Sequence, residues 1–259
     1  MAETTKIAWA DATWNPWVGC HKVSPGCTNC YAEAWAKRVG RSFDPVTITK
    51  QFFVPERWRG NKRVFVCSLS DFFIKQADDL RVEAWRIMMS TPQHTYMLLT
   101  KRPGRIMWAW EQIPQFAQRN GWPDHIWAGV TVESPKYLPR LDVLARVPAA
   151  RVRFVSLKPL LGPVDLRPWL AWLSLVIIGG ESGPHARPMQ IEWLESIVEQ
   201  CEAAGVPVFV KQDSGRYPGK QGRIPDRLWN LRTLGMEQSR TGSTAGVLET
   251  LQSEMEVGE

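Results

Sequence analysis

Apolar runs rich in β-branched residues recur along the chain at 7–9, 64–68, 95–100, 126–131, 152–157, 175–178 and 206–210, and several are apolar almost throughout. Unbroken apolar runs suit strands covered on both faces, as in a parallel sheet; a half-exposed strand would alternate in and out. Between these runs the period changes to that of a helix. Residues 80–90 place Ala84, Trp85 and Met88 on one stripe, and 191–204 place Ile191, Leu194, Ile197, Val198 and Cys201 on another, closing at Gly205 as a left-handed cap. A further helix is expected over 32–39. Repeated β-then-α units join through right-handed crossovers, so the pattern predicts an α/β fold on a parallel sheet, open or closed into a barrel.

Polar or glycine-rich groups stand at the C-terminal end of nearly every strand: Ser68-Leu69-Ser70-Asp71, Thr100-Lys101-Arg102, Thr131-Val132-Glu133, Ser156-Leu157-Lys158, Gly179-Gly180-Glu181-Ser182 and Lys211-Gln212-Asp213. In β/α barrels the active site is assembled on that rim. Beyond about Pro218 the pattern decays. Residues 1–235 form the folded domain, and 236–259 form an acidic, flexible tail with one short helix expected around 248–254.

With 259 residues, 44% hydrophobic and 22% charged, the chain can bury a substantial core in one large domain. No run of 18 apolar residues is present, so no membrane partner is expected, and the polar start from Met1 to Lys6 shows no apolar leader segment. A cytoplasmic location follows as an expectation. The formal charge of +6 is uneven: residues 37–63 carry eight bases (among them Arg57 and Arg59) against Asp44 and Glu56. The tail from Glu237 carries five acids against Arg240, which leaves +10 on residues 1–236. Such a body favours a polyanionic partner, although an ordinary solvated surface is an equal reading of charge alone.

In a reducing compartment the five cysteines read as ligands or core residues, not as a disulfide framework. Cys20, Cys27 and Cys30 fall within eleven residues, after the first strand and before the helix at 32–39. Thiolates prefer soft or borderline metals, and Cys-x2-Cys spacing lets two sulfurs converge on one centre. Gly19 and Gly26, each before a cysteine, would let the backbone wrap a cluster closely. Structural zinc needs four ligands, and His21 is a poor fourth because neighbouring side chains point apart; His94, His125 and His185 are distant. Three thiols suit a four-iron cluster with one iron left open, with zinc and metal-free thiols as the alternatives. Cys67, in an apolar strand, and Cys201, on an apolar stripe, read as core.

The segment from Trp14 to Tyr31, with Ser70-Asp71-Phe72, Leu99-Thr100-Lys101-Arg102-Pro103, Gly129-Val130-Thr131-Val132-Glu133, Pro159-Leu160-Leu161-Gly162-Pro163, Gly179-Gly180-Glu181-Ser182-Gly183-Pro184, Ala186-Arg187-Pro188-Met189 and Lys211-Gln212, resembles the phage Gp37/Gp68 family, also described as three-Cys-motif proteins. The match spans residues 6–215 in order. That family in turn resembles the radical SAM enzymes, although the Cys-x6-Cys-x2-Cys spacing departs from their commoner Cys-x3-Cys-x2-Cys. The resemblance implies a partial (β/α) TIM-like barrel of parallel strands whose [4Fe–4S] cluster, on Cys20, Cys27 and Cys30, binds S-adenosylmethionine. Reduction by an external electron donor would then release a 5′-deoxyadenosyl radical.

The resemblance also implies roles at the rim. Ser68, Ser70 and Asp71 would face the methionyl group, Thr131 and Glu133 the ribose, Gly179 and Gly180 would let a flat ligand approach, and Tyr31 would also bind the cofactor. Lys158, Glu181 and Lys211 would line the reacting side, with Lys101, Arg102, Arg57, Arg59 and Gln212 toward substrate. Family members commonly carry Glu where this chain has Lys158, a reversal of charge that points to an altered substrate or a bound anion such as phosphate. For each rim residue a strand-end hydrogen bond or salt bridge is an equally good reading. The implied activity is an isomerase or lyase acting on a nucleobase, in particular a thymine-derived base of phage DNA, or on a nucleotide. Fourteen tryptophans suit base stacking as well as a core. A zinc-holding nucleic-acid-binding protein without catalysis, and a radical enzyme acting on a peptide, are the other readings.

Overall fold

The computed structural model describes residues 5, 7–112, 121–147 and 150–234. Seven strands form one parallel sheet: β1 (Ala12–Trp14), β4 (Arg63–Val66), β5 (Thr95–Thr100), β6 (Ile126–Thr131), β7 (Arg153–Leu157), β8 (Leu175–Gly179) and β9 (Val208–Gln212), in that spatial order. Sequential order with every pair parallel is what right-handed crossovers produce, and the curled sheet forms a half-barrel. Outside it lie β2 (Trp17–Val18) and β3 (Thr47–Ile48), a small antiparallel pair that the hydrophobic pattern did not signal. Among the described residues the helices are α1 (Tyr31–Arg38), α2 (Asp78–Ser90), α3 (Ile106–Glu111), α4 (Pro139–Ala145), α5 (Ile191–Ala203) and α6 (Asp226–Trp229). The acidic tail and its expected short helix lie outside the described residues.

Alternation along the strands sorts side chains onto two faces. Val64, Val66, Tyr96, Leu98, Ile126, Ala128, Val130, Val155, Leu157, Val176 and Ile178 join the larger core together with α2, α4 and α5. The intervening positions Phe65, Met97, Trp127, Phe154, Leu175, Ile177 and Phe209 form a second apolar cluster on the concave face. Gly129 sits on that face because a Cβ there would strike the Phe154 ring. The floor of the half-barrel is therefore solid hydrocarbon.

Boundaries differ from the sequence expectation in three places, the first being β4, which ends at Val66 and leaves Cys67, at φ +59°, buried in the turn after the strand and not within it. Residues 7–9 are not a strand: Ala10 N–H closes a turn on the Ile7 carbonyl at 3.0 Å, and Trp9 packs edge-on against Phe65 with ring centroids 4.6 Å apart. The triplet is apolar because it plugs the floor, and the strand begins at Ala12. At the other end β9 starts at Val208, because Val206 belongs to the helix cap. Gly205, at φ +67°, donates to Glu202 and Val206 donates to Cys201, the paired bonds of a Schellman motif. Cys67 and Cys201 are buried, as expected of core residues, and burial pushes the Cys201 thiol up to about 12. No helix among the described residues is long and apolar enough to cross a membrane.

Candidate active site at the mouth of the half-barrel

The loop after β1 is fastened over the C-terminal ends of the strands by polar side chains, one of them, Asn15, without a role in the sequence reading. Asn15 grips the end of β4: its Oδ1 accepts from Leu69 N–H at 2.8 Å and its amide meets the Ser68 hydroxyl at 3.1 Å. Ser70 Oγ donates to the Gly19 carbonyl, and the Tyr31 hydroxyl donates to the Ser68 carbonyl. Cys20, Cys27 and Cys30 are free and half-buried on this loop. Arg102 Nη1 lies 3.5 Å from Cys20 Sγ, and its Nη2 donates to the His21 carbonyl at 2.7 Å. Burial pushes the Cys20 thiol up to about 11 in spite of that guanidinium. Cys27 Sγ is 3.8 Å from Ser24 Oγ, whose hydroxyl meets the Glu133 carboxylate. Cys30 occupies the N-cap of α1. His21 turns away from the thiols toward Asp44, 3.6 Å from its carboxylate.

Among the described residues, no three His, Cys, Asp or Glu side chains converge closely enough to hold a single metal ion. A [4Fe–4S] cluster asks for something different, since each thiolate binds a different iron. Three free soft donors on one glycine-containing loop, with a guanidinium N–H on one sulfur, are a donor set that fits such a group.

The acids of the rim are already engaged, each by an arginine. Asp71 accepts from Phe73 N–H at 3.0 Å, Thr100 Oγ1 at 2.7 Å, Lys101 N–H at 3.0 Å and Arg102 Nη1 at 3.0 Å. Glu133, fully buried, binds Arg140 at 2.9 Å as well as Ser24. Glu181 takes Arg187 at 2.5 Å and Asn29 Nδ2 at 3.0 Å, and Asp213 takes Arg223 at 2.8 Å. Asn29 and Arg187 thereby tie the cysteine loop to the end of β8. Asn15, Ser24, Asn29, Arg140, Arg187 and Arg223 were given no role by the sequence reading; the first three lie within the Trp14–Tyr31 motif and Arg187 within the Ala186–Met189 motif, so position alone singled them out.

Burial by itself would raise the Glu181 and Asp213 carboxyls, but the arginine and backbone donors outweigh it and hold both below the ordinary carboxylate range. Their contribution to stability is complete above the unfolded pKa of about 4 and is lost as pH falls through the lower folded values. Urea unfolding between pH 7 and pH 3 should therefore show a steep acid loss that is shallower in Glu181→Gln. An unchanged slope would show that Glu181 does not carry it.

Several expected roles move. The space left by the missing Cβ of Gly180 is filled by the Ser214 backbone, not by a ligand, and Gly26 fits against the Glu133 side chain. A Cβ on Gly19, at φ +119°, would lie 2.8 Å from the Phe43 carbonyl, so these glycines serve chain packing. Gln212 is buried and bridges the Gly180 carbonyl and Gly219 N–H. Arg57 and Arg59 flank Trp58, which packs on His94 just before β5 begins; they stand at the opposite end of the strands from the rim.

What the mouth does hold is lysine. Continuing the alternation of the concave face, Thr131, Ser156, Lys158, Gly179 and Lys211 stand above the apolar floor, with Lys101 next after Leu99. Burial first, then repulsion from Lys101, brings Lys158 down to about 8. Lys211 falls well below the ordinary lysine range through burial and the neighbouring Lys158. A cleft of about 350 Å³ opens at the rim between Pro25 of the cysteine loop and Glu133, Ser134, Tyr137, Leu161 and Arg187.

A family model described as "Protein of unknown function (DUF5131)" matches residues 4–248. Neither the curated proteins nor the solved structures contain a match.

Proposed function

The chain belongs to the DUF5131 family, and we propose that it is a radical SAM-type enzyme acting on a nucleotide or a nucleic-acid base. The observation that carries this reading is the position of three free thiols on the loop after β1, above the strand ends where Lys158 and Lys211 stand. The similarity of the same motifs to the Gp37/Gp68 family supports it. When bound, a [4Fe–4S] cluster with S-adenosylmethionine supplies one-electron cleavage of the sulfonium, with the electron coming from an external donor.

The chain's own residues do the rest. Cys20, Cys27 and Cys30 would hold the cluster. Arg102 donates to Cys20 Sγ, and a hydrogen bond of that kind adjusts the potential of an iron–sulfur centre. Asp71 fixes that arginine rather than meeting the methionyl ammonium itself. The rim cleft, lined by Glu133, Ser134, Tyr137 and Leu161, would receive the nucleoside part of the cofactor. Thr131, Ser156 and the lysines face substrate from the concave wall.

Anaerobic reconstitution with iron and sulfide should give a brown protein absorbing broadly near 400 nm. Adding reductant and S-adenosylmethionine should release 5′-deoxyadenosine. A colourless protein retaining one zinc would sink the proposal in favour of a zinc-holding binding protein. A brown protein that never cleaves the cofactor would leave the cluster and remove the enzyme.

A further inference from the structure

Three adjacent strands end in an unusual sequence of side chains at one level. Leu157 of β7 is in register with Ile178 of β8, so Lys158 lies level with Gly179. Between β8 and β9 the register shifts: Ile178 pairs with Val210 but Gly179 pairs with Gln212, which leaves Lys211 as the extra residue of a bulge. Bulges re-aim a side chain, and they concentrate beside active sites. A Cβ built on Gly179 would lie 3.4 Å from Lys211 Cβ, so this lysine leans over the glycine. Lys158 and Lys211 thus flank a notch with Gly179 as its base.

Charge makes the notch unusual. Each described acid around it is held by an arginine, Asp71 by Arg102, Glu133 by Arg140, Glu181 by Arg187 and Asp213 by Arg223, and Glu181 and the Cys30 thiol act on Lys158 from a distance without pairing with it. Neither Lys158 nor Lys211 has a salt-bridge or hydrogen-bond partner for its ammonium among the described residues. Both are ringed by protein and still reach solvent, the condition of side chains lining a recess. Thr131 and Ser156 place hydroxyls one row below, on the side toward Lys101.

We propose that the notch between Lys158 and Lys211 binds the phosphate monoester group of the substrate, with Lys101 and the Thr131 and Ser156 hydroxyls beside it. The inference rests on the reading of the mouth as the substrate site, but not on the cluster. Two ammoniums match the charge of a phosphate monoester, about −1.5 to −2 at neutral pH; a carboxylate or an internal phosphodiester leaves one of them uncompensated. Lysine point charges need no planar fork, which is what a rotating phosphoryl group requires and a carboxylate–arginine pair does not.

The test uses the full-length protein and calorimetric titration with inorganic phosphate, thymidine 5′-monophosphate, thymidine, succinate and an unphosphorylated single-stranded oligonucleotide. The monophosphate should bind at least tenfold more tightly than thymidine, and phosphate should compete with it. Lys158→Met and Lys211→Met should each weaken it at least tenfold, while Arg57→Ala, at the other end of the strands, should not. Both methionine variants remove a buried charge without adding one, so they should stay folded by circular dichroism. In the native protein the ¹⁵N-labelled side-chain signals of Lys158 and Lys211 should move on phosphate addition, which a merely structural role would not produce. Equal affinity for thymidine and its monophosphate, or unweakened binding in both variants, overturns the inference. Succinate competing as well as phosphate, or the oligonucleotide binding as tightly through the same lysines, overturns the monoester assignment. Cys20→Ala separates this from the radical reading: phosphate binding should survive in it unchanged. Phosphate binding by a protein that takes up no iron would leave the inference standing alone, and iron uptake without phosphate binding would leave only the enzyme reading.

Discussion

Alanine at any one of Cys20, Cys27 or Cys30 is expected to cut the iron retained after anaerobic reconstitution from about four per chain to near background. The size of the effect follows from how such a cluster is held: each thiolate occupies a different iron, so the loss of one opens a second corner to solvent. None of the three can be replaced locally, because His21 faces Asp44 and the acids beside the loop are bound to arginines. Cys67→Ala and Cys201→Ala are the controls. Both thiols are buried in the core, so iron should be unchanged and stability should fall by ~1 kcal/mol. Iron analysis with chemical unfolding of all five variants decides the matter. Full iron in any single variant of the loop would remove that cysteine from the ligand set.

Asp71→Ala is expected to lower stability by about 3–5 kcal/mol, a large part of the 5–15 kcal/mol typical of a folded domain. The carboxylate is buried and satisfies two backbone N–H groups, a hydroxyl and Arg102 together. Its removal leaves the Arg102 guanidinium, whose side chain is only 12% exposed, without its counter-charge. Asp71→Asn keeps the shape and some acceptor capacity, so its loss should be smaller, about 1–3 kcal/mol. Urea midpoints for the pair test this. An alanine variant within 1 kcal/mol of the native protein would show that Asp71 is not the hub, and its role would return to ligand binding as the sequence suggested. Because Arg102 also donates to Cys20, the asparagine variant should alter the cluster's absorption or potential without removing iron.

The parallel sheet was legible in the chain because strands buried on both faces must be apolar at successive positions, a local property. Val64, Val176 and Ile178 carry that signal by themselves. The stripe on α5 and its Gly205 cap were legible for the same reason, since both depend on spacing within a few residues. Residues 7–9 misled because apolarity reports burial, not backbone conformation: Trp9 is buried as a plug and its backbone is a turn. Asp71, Glu133 and Glu181 were recognisable as important from their place at strand ends, but their partners were not. Arg102, Arg140 and Arg187 follow them in sequence by 31, 7 and 6 positions, separations with no common period.

By itself the sequence determined the chemistry available: three thiols on one short loop, lysines and acids at the ends of parallel strands, and an apolar floor beneath them. Each follows from residue identity and short-range spacing. Only the tertiary structure decided which of those charges are spent. Arginines neutralise the acids, Arg102 from the loop of the next strand and Arg187 from Glu181's own loop, the Ser214 backbone fills the room beside Gly180, and a bulge sets Lys211 beside Lys158 with no salt-bridge partner for either ammonium among the described residues. Pairing is a property of distance in space, and a register shift of one residue between β8 and β9 is invisible in a pattern read along a single strand.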